Sequence, residues 1–295
     1  EEQNIIDGLV SSFRRSEKLQ IHTRFLYSVG SIYRRHNGNL LYHGCIPCDG
    51  NGEFMEFSLY SDTPLKGRAF LDWADRLARQ GYFAPDGSME RLRGLDFLWF
   101  LWCGRNSPIC GRTKITTFER ALIEDKDSYT EPKNPYYVYY GSEEFCRRIL
   151  DDFDLHKPWS RIINGHMPVK VKEGEDPRKG GGRLVVIDGG FCKAYHKQTG
   201  IAGYTMFFSS HGMRIAAHEP FTTREEAIHG KKDITSHSFI VENLPRRLMI
   251  SDTDAGEGIK RRIEDLNALL DAYRSGTIKT VSYTHLRAHE TPEHL

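Results

Sequence analysis

Ile162-Ile163-Asn164-Gly165-His166-Met167-Pro168-Val169-Lys170 and Leu184-Val185-Val186-Ile187-Asp188-Gly189-Gly190-Phe191 each carry a short apolar run into a polar loop. Runs apolar on both faces, bounded by turn residues, read as buried strands of a covered sheet. The first polar residues past such a strand inherit a fixed position from the sheet. In the first segment that residue is His166, with Gly165 expected to turn the backbone before it and Pro168 to stiffen the exit. By pattern alone a lone histidine there is an ordinary turn residue as readily as a preorganised ligand.

The rest of the chain brings a second such histidine. Asn39 to Tyr42 is a short strand running into His43-Gly44. His43 and His166 therefore form a pair, each at an apolar strand end and each beside a glycine. A two-metal hydrolase holds its ions about 3.5 to 4 Å apart with several oxygen and nitrogen ligands. Asp49, Asp96 and Asp188 are available, but spacing alone leaves the two-histidine site incomplete.

Around this pair the elements alternate. Helical spacing runs through Ile5, Ile6, Leu9 and Phe13, then Leu19, His22, Phe25, Leu26, Val29 and Tyr33, as if the chain began inside a helix. Helices are predicted over 67–80 and 88–102, the second deeply buried because 95–102 is almost wholly apolar. Residues 104–137 read as loop, Ser142 caps a helix to Asp152, and strands follow over 202–209 and 213–218. Thr223 with Glu226 forms a capping box. A final amphipathic helix over 256–273, with Ile259, Ile263, Leu266, Leu270 and Tyr273 on one face, is expected to pack. This order predicts an α/β chain on mixed sheets, without repeats or linkers.

Composition bounds function. Lys and Arg number 41 against 40 Asp and Glu, a net charge of +1, so no global field favours nucleic acid or an anionic membrane. No apolar run reaches the length of a membrane span. Six cysteines in 295 residues suit a reducing cytoplasm. Cys45-Ile-Pro-Cys48 lacks the second CxxC of a zinc ribbon, and a structural zinc is not expected there. The segment 281–291 resembles a translated sequencing adapter. Residues 281–295 are accordingly read as a non-native tail, and His285, His289, Glu290 and His294 are set aside as metal ligands.

Several segments, in order, carry a resemblance. His43-Gly-Cys-Ile-Pro47, Asp96-Phe-Leu-Trp-Phe-Leu-Trp-Cys-Gly104, Thr116-Thr-Phe-Glu-Arg120, Lys133-Asn-Pro-Tyr-Tyr137, Ile163-Asn-Gly-His-Met-Pro-Val-Lys170, Ile187-Asp-Gly-Gly-Phe-Cys-Lys-Ala-Tyr195 and Thr199-Gly-Ile-Ala-Gly-Tyr-Thr205 resemble the class III fructose-1,6-bisphosphatases of anaerobic and Gram-positive bacteria. Residues 1–280 are covered. The resemblance implies the calcineurin-like metallophosphoesterase superfamily, an α/β four-layer αββα sandwich. This chain would be the C-terminal portion of one catalytic domain.

It further implies a dinuclear manganese centre that hydrolyses the 1-phosphate of a sugar bisphosphate in gluconeogenesis. His43 falls at the HG ligand of the superfamily and His166 at the later GH ligand. Asp188, Gly189 and Gly190 match the loop that closes over the site. The earlier GDxH, GDxxDRG and GNHD motifs are not present, so the general acid is unassigned and the chain alone is expected to be inactive and prone to aggregate. Lys193, Lys170 and Arg120 are candidates for the second phosphate. Arg105 is weaker, because proline is usual after the matching Cys-Gly.

The implied protein is a cytoplasmic enzyme acting on a small molecule, without nucleic acid or membrane partners, and a possible homo-oligomer. The tyrosines of 136–140 are assigned to sheet packing rather than to stacking on sugar. Two other readings stand beside this one. A serine/threonine protein phosphatase shares the HG and GH order, and a non-catalytic fragment could keep the fold without metal.

Overall fold

The computed structural model describes residues 1–60, 62–190, 192, 199–220, 223–229 and 236–279. The chain forms two compact units, Glu1–Asn243 and Leu244–Leu295. Both helices and mixed sheets are present, as an α/β chain requires.

The first unit is built on a five-stranded sheet in the order β1-β2-β3-β5-β4. Its strands are β1 Tyr33–His36, β2 Asn39–Tyr42, β3 Ile162–Asn164, β4 Arg178–Lys179 and β5 Leu184–Val186. The central three are parallel, with Tyr42 level with Asn164 and Asn164 level with Val186. The outer two are antiparallel to their neighbours. The strands predicted over 39–42, 162–164 and 184–186 are therefore adjacent, and every residue of β3 and β5 is buried.

Apolar side chains of neighbouring elements close on this sheet. Leu40, Ile162 and Leu184 join Phe70, Leu71 and Ala74 of α3 (Gly67–Phe83) and Phe145 and Ile149 of α7 (Glu143–Asp152) in one core. Ser142 caps α7 as expected, its hydroxyl accepting from the Phe145 N–H at 3.4 Å. A second sheet, antiparallel in the order β6-β7-β8, comprises β6 Gly203–Ser209, β7 Gly212–His218 and β8 Ser236–Asn243. Its Tyr204, Met213 and Ile215 belong to the same core. A helix follows Thr223 at Arg224–His229; the expected box partner Glu226 has its side chain outside the described residues.

Four sequence expectations need correction. The amino-terminal helical spacing breaks at Ser16 into α1 (Glu2–Arg15) and α2 (Glu17–Val29), neither with a buried residue. Tyr33 belongs to β1, because Gly30 ends α2 and the Tyr33 hydroxyl donates to Asp72 at 2.6 Å. The helix over 88–102, α4 (Met89–Cys103), is not deeply buried: Trp99 is 65% exposed and Trp102 58%. A single neighbouring helix covers one stripe, Gly94, Phe97 and Leu101, and an all-apolar run leaves the remainder outside.

The third and fourth concern a loop and a helix face. Residues 104–137 contain α5 (Thr117–Leu122), and a helical turn, α6 (Tyr136–Tyr139), places the buried Tyr136 against Tyr42 of the sheet, the packing role expected of it. Asn134 starts that turn, its side-chain oxygen accepting from the Tyr136 N–H at 3.0 Å. The second unit contains a helix at Asp254–Arg274 whose Ile259, Ile263, Leu266, Leu270 and Tyr273 are all exposed, so the expected packing face is open. Residues 281–295 and their histidines lie outside the described residues. Among the described residues, no helix is long and apolar enough to cross a membrane.

Candidate functional site

The three parallel strands end on one edge of the sheet, and their exits carry His43, His166 and Asp188. Ligands of open α/β sheets sit at this carboxyl edge, where loops diverge from fixed strand ends. Gly44 follows His43 because the backbone passes the Pro108 carbonyl there; a Cβ would stand 2.1 Å from that oxygen. The Cys45 N–H donates to the same carbonyl at 2.8 Å.

The backbone at His166 differs from the sequence expectation. Gly165 does not take the left-handed turn; His166 itself does, at φ +66°. A side chain on Gly165 would meet nothing closer than 3.5 Å, whereas His166 holds a conformation that L residues seldom adopt. Gly165 N–H donates to the His43 carbonyl at 3.1 Å, and Met167 N–H to the Gly165 carbonyl at 2.7 Å. These bonds tie the His166 loop to the His43 loop and hold the strained residue.

The two imidazoles meet. His43 Nε2 lies 3.0 Å from His166 Nδ1, with ring centroids 4.9 Å apart. Burial lowers the pKa of both, and for His166 the neighbouring His43 and Arg112 lower it further, while the Asp188 charge opposes the shift on each. Both rings are thereby favoured in the neutral form that donates a lone pair. The Cys110 backbone also hydrogen-bonds the His166 ring, which opposes the fall in its pKa.

The two rings share a hydrogen bond here, and the same spacing is compatible with a shared divalent ion once that proton leaves. Two nitrogens bound to one metal at right angles, each about 2.1 Å from it, stand about 3.0 Å apart. The observed spacing between the facing nitrogens is 3.0 Å. Among the described residues, however, no group of three or more His, Cys, Asp or Glu converges to hold a metal.

Asp188 lies at the end of the third strand, its carbonyl accepting from Val169 N–H and its carboxylate from Gly190 N–H, both at 2.9 Å. It brings a negative charge to the pair. Gly189 and Gly190 complete this loop; Gly190 takes a positive φ of 68°. A cavity of about 670 Å³ opens beside the pair, lined by His43, Asn164 and Gly165 with apolar Leu41, Ile163 and Ile187.

The three candidate cations fare differently. Lys193 lies outside the described residues. Lys170 is exposed and its ammonium pairs with Glu173 at 3.1 Å. Arg120 donates to the Thr116 hydroxyl at 2.9 Å, within a cluster that includes Glu131 and Arg112. No described contact joins Lys170 or Arg120 to the histidines. Cys45 and Cys48 are buried, and burial pushes the Cys48 thiol up to about 12.

Three residues that were not assigned to the site from sequence lie around the pair. Asn164 is buried at the end of β3 and donates to the loop that carries His43. Arg112 stands near His166, its guanidinium on the Met167 sulfur at 3.7 Å and paired with Glu131 at 3.0 Å. Tyr137 lays its ring 6.5 Å from His166, with a buried hydroxyl that has no partner. The one sequence signal for these was position: Asn164 directly precedes the Gly-His pair.

Comparison with known proteins supplies the family. The family model described as Firmicute fructose-1,6-bisphosphatase matches residues 1–275. The chain belongs to that family. It is 50% identical over 286 residues to a class 3 fructose-1,6-bisphosphatase of Clostridium botulinum (strain Loch Maree / Type A3), covering 97% of this chain and 43% of that protein. It is 48% identical over 279 residues to the protein of the same name from Clostridioides difficile (strain 630), covering 95% of this chain and 42% of the relative. No solved structure matches. As a member of the fructose-1,6-bisphosphatase family, the chain spans less than half the length of these curated relatives, and its strand-edge histidines lie inside the matched region.

Proposed function

We propose that residues 1–280 form the C-terminal portion of one metallophosphatase catalytic domain that hydrolyses fructose 1,6-bisphosphate to fructose 6-phosphate and phosphate. The observation that carries this reading is the 3.0 Å approach of His43 Nε2 to His166 Nδ1 at adjacent parallel strand ends. It is supported by the names of the relatives. The cytoplasmic, gluconeogenic setting follows from that substrate and agrees with the six free cysteines.

On this reading His43 and His166 hold one face of a manganese centre, and the remaining ligands come from polypeptide beyond this chain. Bound divalent metal supplies Lewis-acid stabilisation of the phosphoryl oxygens. The residues of this chain hold neutral imidazoles ready by burial and keep the Asp188 carboxylate beside them. Lys170, four residues after His166, and Arg120 remain the candidates within the described residues to seat the second phosphate through charge. Lys193 completes that proposal.

The test is complementation. Mixed or co-expressed with the upstream portion of a clostridial relative, the chain should release phosphate from fructose 1,6-bisphosphate in a manganese-dependent way. Alone it should not. Loss of the activity in His43→Ala and His166→Ala assemblies is expected; a complemented assembly that releases phosphate from phosphopeptides and not from the sugar bisphosphate would overturn the substrate assignment.

A further inference from the structure

Asn164 holds more of the site than its place at the end of a three-residue strand suggests. It is 1% exposed. Its side-chain nitrogen lies 3.4, 3.0 and 2.8 Å from the carbonyls of Tyr42, His43 and Gly44, three consecutive acceptors on the segment that carries His43. Its side-chain oxygen accepts from the Tyr136 hydroxyl at 3.2 Å. Carbonyls cannot donate, so this arrangement fixes which end of the amide is which. The Tyr136 hydroxyl spends its proton on Asn164 and therefore accepts from the Tyr42 hydroxyl, 2.7 Å away. The chain of bonds runs from Tyr42 through Tyr136 to Asn164.

The neighbours of Asn164 grip the same segment. The His43 carbonyl accepts from both Asn164 Nδ2 and the Gly165 N–H, and the His166 ring meets the His43 ring. Three successive residues of one strand end thus hold one residue of the next. Moving the His43 backbone would break two bonds at its carbonyl before the imidazoles separate. An aspartate at position 164 has nearly the same shape and no N–H to give. It would set carboxylate oxygens against three carbonyls.

Resting on the metal-binding reading above, we infer that Asn164 is a positioning residue that sets the spacing of the two imidazoles by clamping the His43 loop to β3. It does not touch the metal. Groups that orient metal ligands from behind change affinity by about 10- to 100-fold when removed. Tyr136 offers the internal comparison, because Tyr136→Phe removes a buried hydroxyl from the same chain of bonds while leaving Asn164 on the three carbonyls.

The experiment titrates Co2+ into the chain complemented with the upstream portion of a clostridial relative, read by visible absorption and by the imidazole resonances of His43 and His166, beside urea unfolding of each variant. Asn164→Asp should weaken Co2+ binding by about tenfold or more, and Tyr136→Phe should lower stability while leaving Co2+ affinity within about twofold. Asn164→Ser carries the same comparison should Asn164→Asp not fold. A wild-type assembly that binds no Co2+ through these rings defeats the metal reading itself. Wild-type binding with unchanged affinity in the Asn164 variants overturns this inference alone. So does affinity that merely follows stability across Asn164 and Tyr136 variants, or failure of both Asn164 variants to fold while Tyr136→Phe folds.

Discussion

Arg161, at the foot of β3, and Glu242, on β8, join the two sheets of the first unit through an ion pair of 2.5 Å whose side chains are only 11% and 17% exposed. Burial lowers the Arg161 pKa, and the Glu242 charge works against that shift. The guanidinium also donates to the Pro158 and Ser160 carbonyls at 3.1 and 2.8 Å, but its Nε is buried without a partner. Glu242→Ala would leave a second guanidinium nitrogen unsatisfied. It should cost about 2 kcal/mol in urea unfolding, and Glu242→Gln, which keeps an acceptor, should cost less. Equal stability of all three proteins would show the pair to be energetically idle.

A second prediction concerns the crossing of α3 and α4. A Cβ on Gly94 would stand 2.2 Å from the Gly81 nitrogen and 2.8 Å from the Leu77 carbonyl oxygen. Backbone meets backbone there, so no side chain can swing aside. In an open helix alanine is favoured over glycine by about 1 kcal/mol, but overpacking costs about 1 to 3 kcal/mol. Gly94→Ala should therefore lower the thermal midpoint. Gly8→Ala in α1, where nothing lies within 4 Å, should not lower it and should increase helicity by circular dichroism.

Acid sensitivity should include a contribution from Glu131. Burial alone would raise its pKa, but the Thr116 hydroxyl and N–H, at 2.7 and 2.9 Å, and the charges of Arg112 and Arg120 outweigh it, so the carboxyl sits below its ordinary value of 4.5. A depressed folded-state pKa gives stability that is present above the unfolded value and is lost as pH falls through the folded one. Unfolding midpoints should decline below about pH 4.5 in the wild type and be flatter in Glu131→Gln. An identical acid limb in the two proteins would remove Glu131 from the account.

These cases show what the sequence made legible. The strand predicted over 39–42 is β2, and the apolar runs at 162 and 184 are its parallel neighbours, because a short run apolar on both faces has few other places to go. The pairing of His43 with His166 followed from equal positions at strand ends. Asn164 was opaque, since its role depends on three carbonyls 120 to 122 residues away along the chain. The apolar density of α4 misled because hydrophobicity reports what a helix is able to bury, not what is beside it. The sheet-packing role of the tyrosines of 136–140 was legible in Tyr136, which packs on Tyr42, but the helical turn that carries it was not read, although Asn134-Pro135 ahead of it is a helix-start signal.

The last prediction tests the strain at His166, whose φ of +66° no residue-type pattern announced. For most positions glycine is less stable than alanine, because the unfolded chain gains freedom. At a positive φ the order reverses, since the left-handed conformation costs an L residue about 1 kcal/mol or more. Both His166→Gly and His166→Ala remove the imidazole and leave similar space, so their difference isolates the backbone term. His166→Gly should be the more stable of the two by about 1 kcal/mol in urea unfolding, while neither should bind Co2+ through the histidine pair. If His166→Ala is the more stable variant, the His43 and Gly165 hydrogen bonds do not hold position 166 in the left-handed region in solution. The ligand would then be placed by its ring contacts, and the strained backbone would have no part in presenting it.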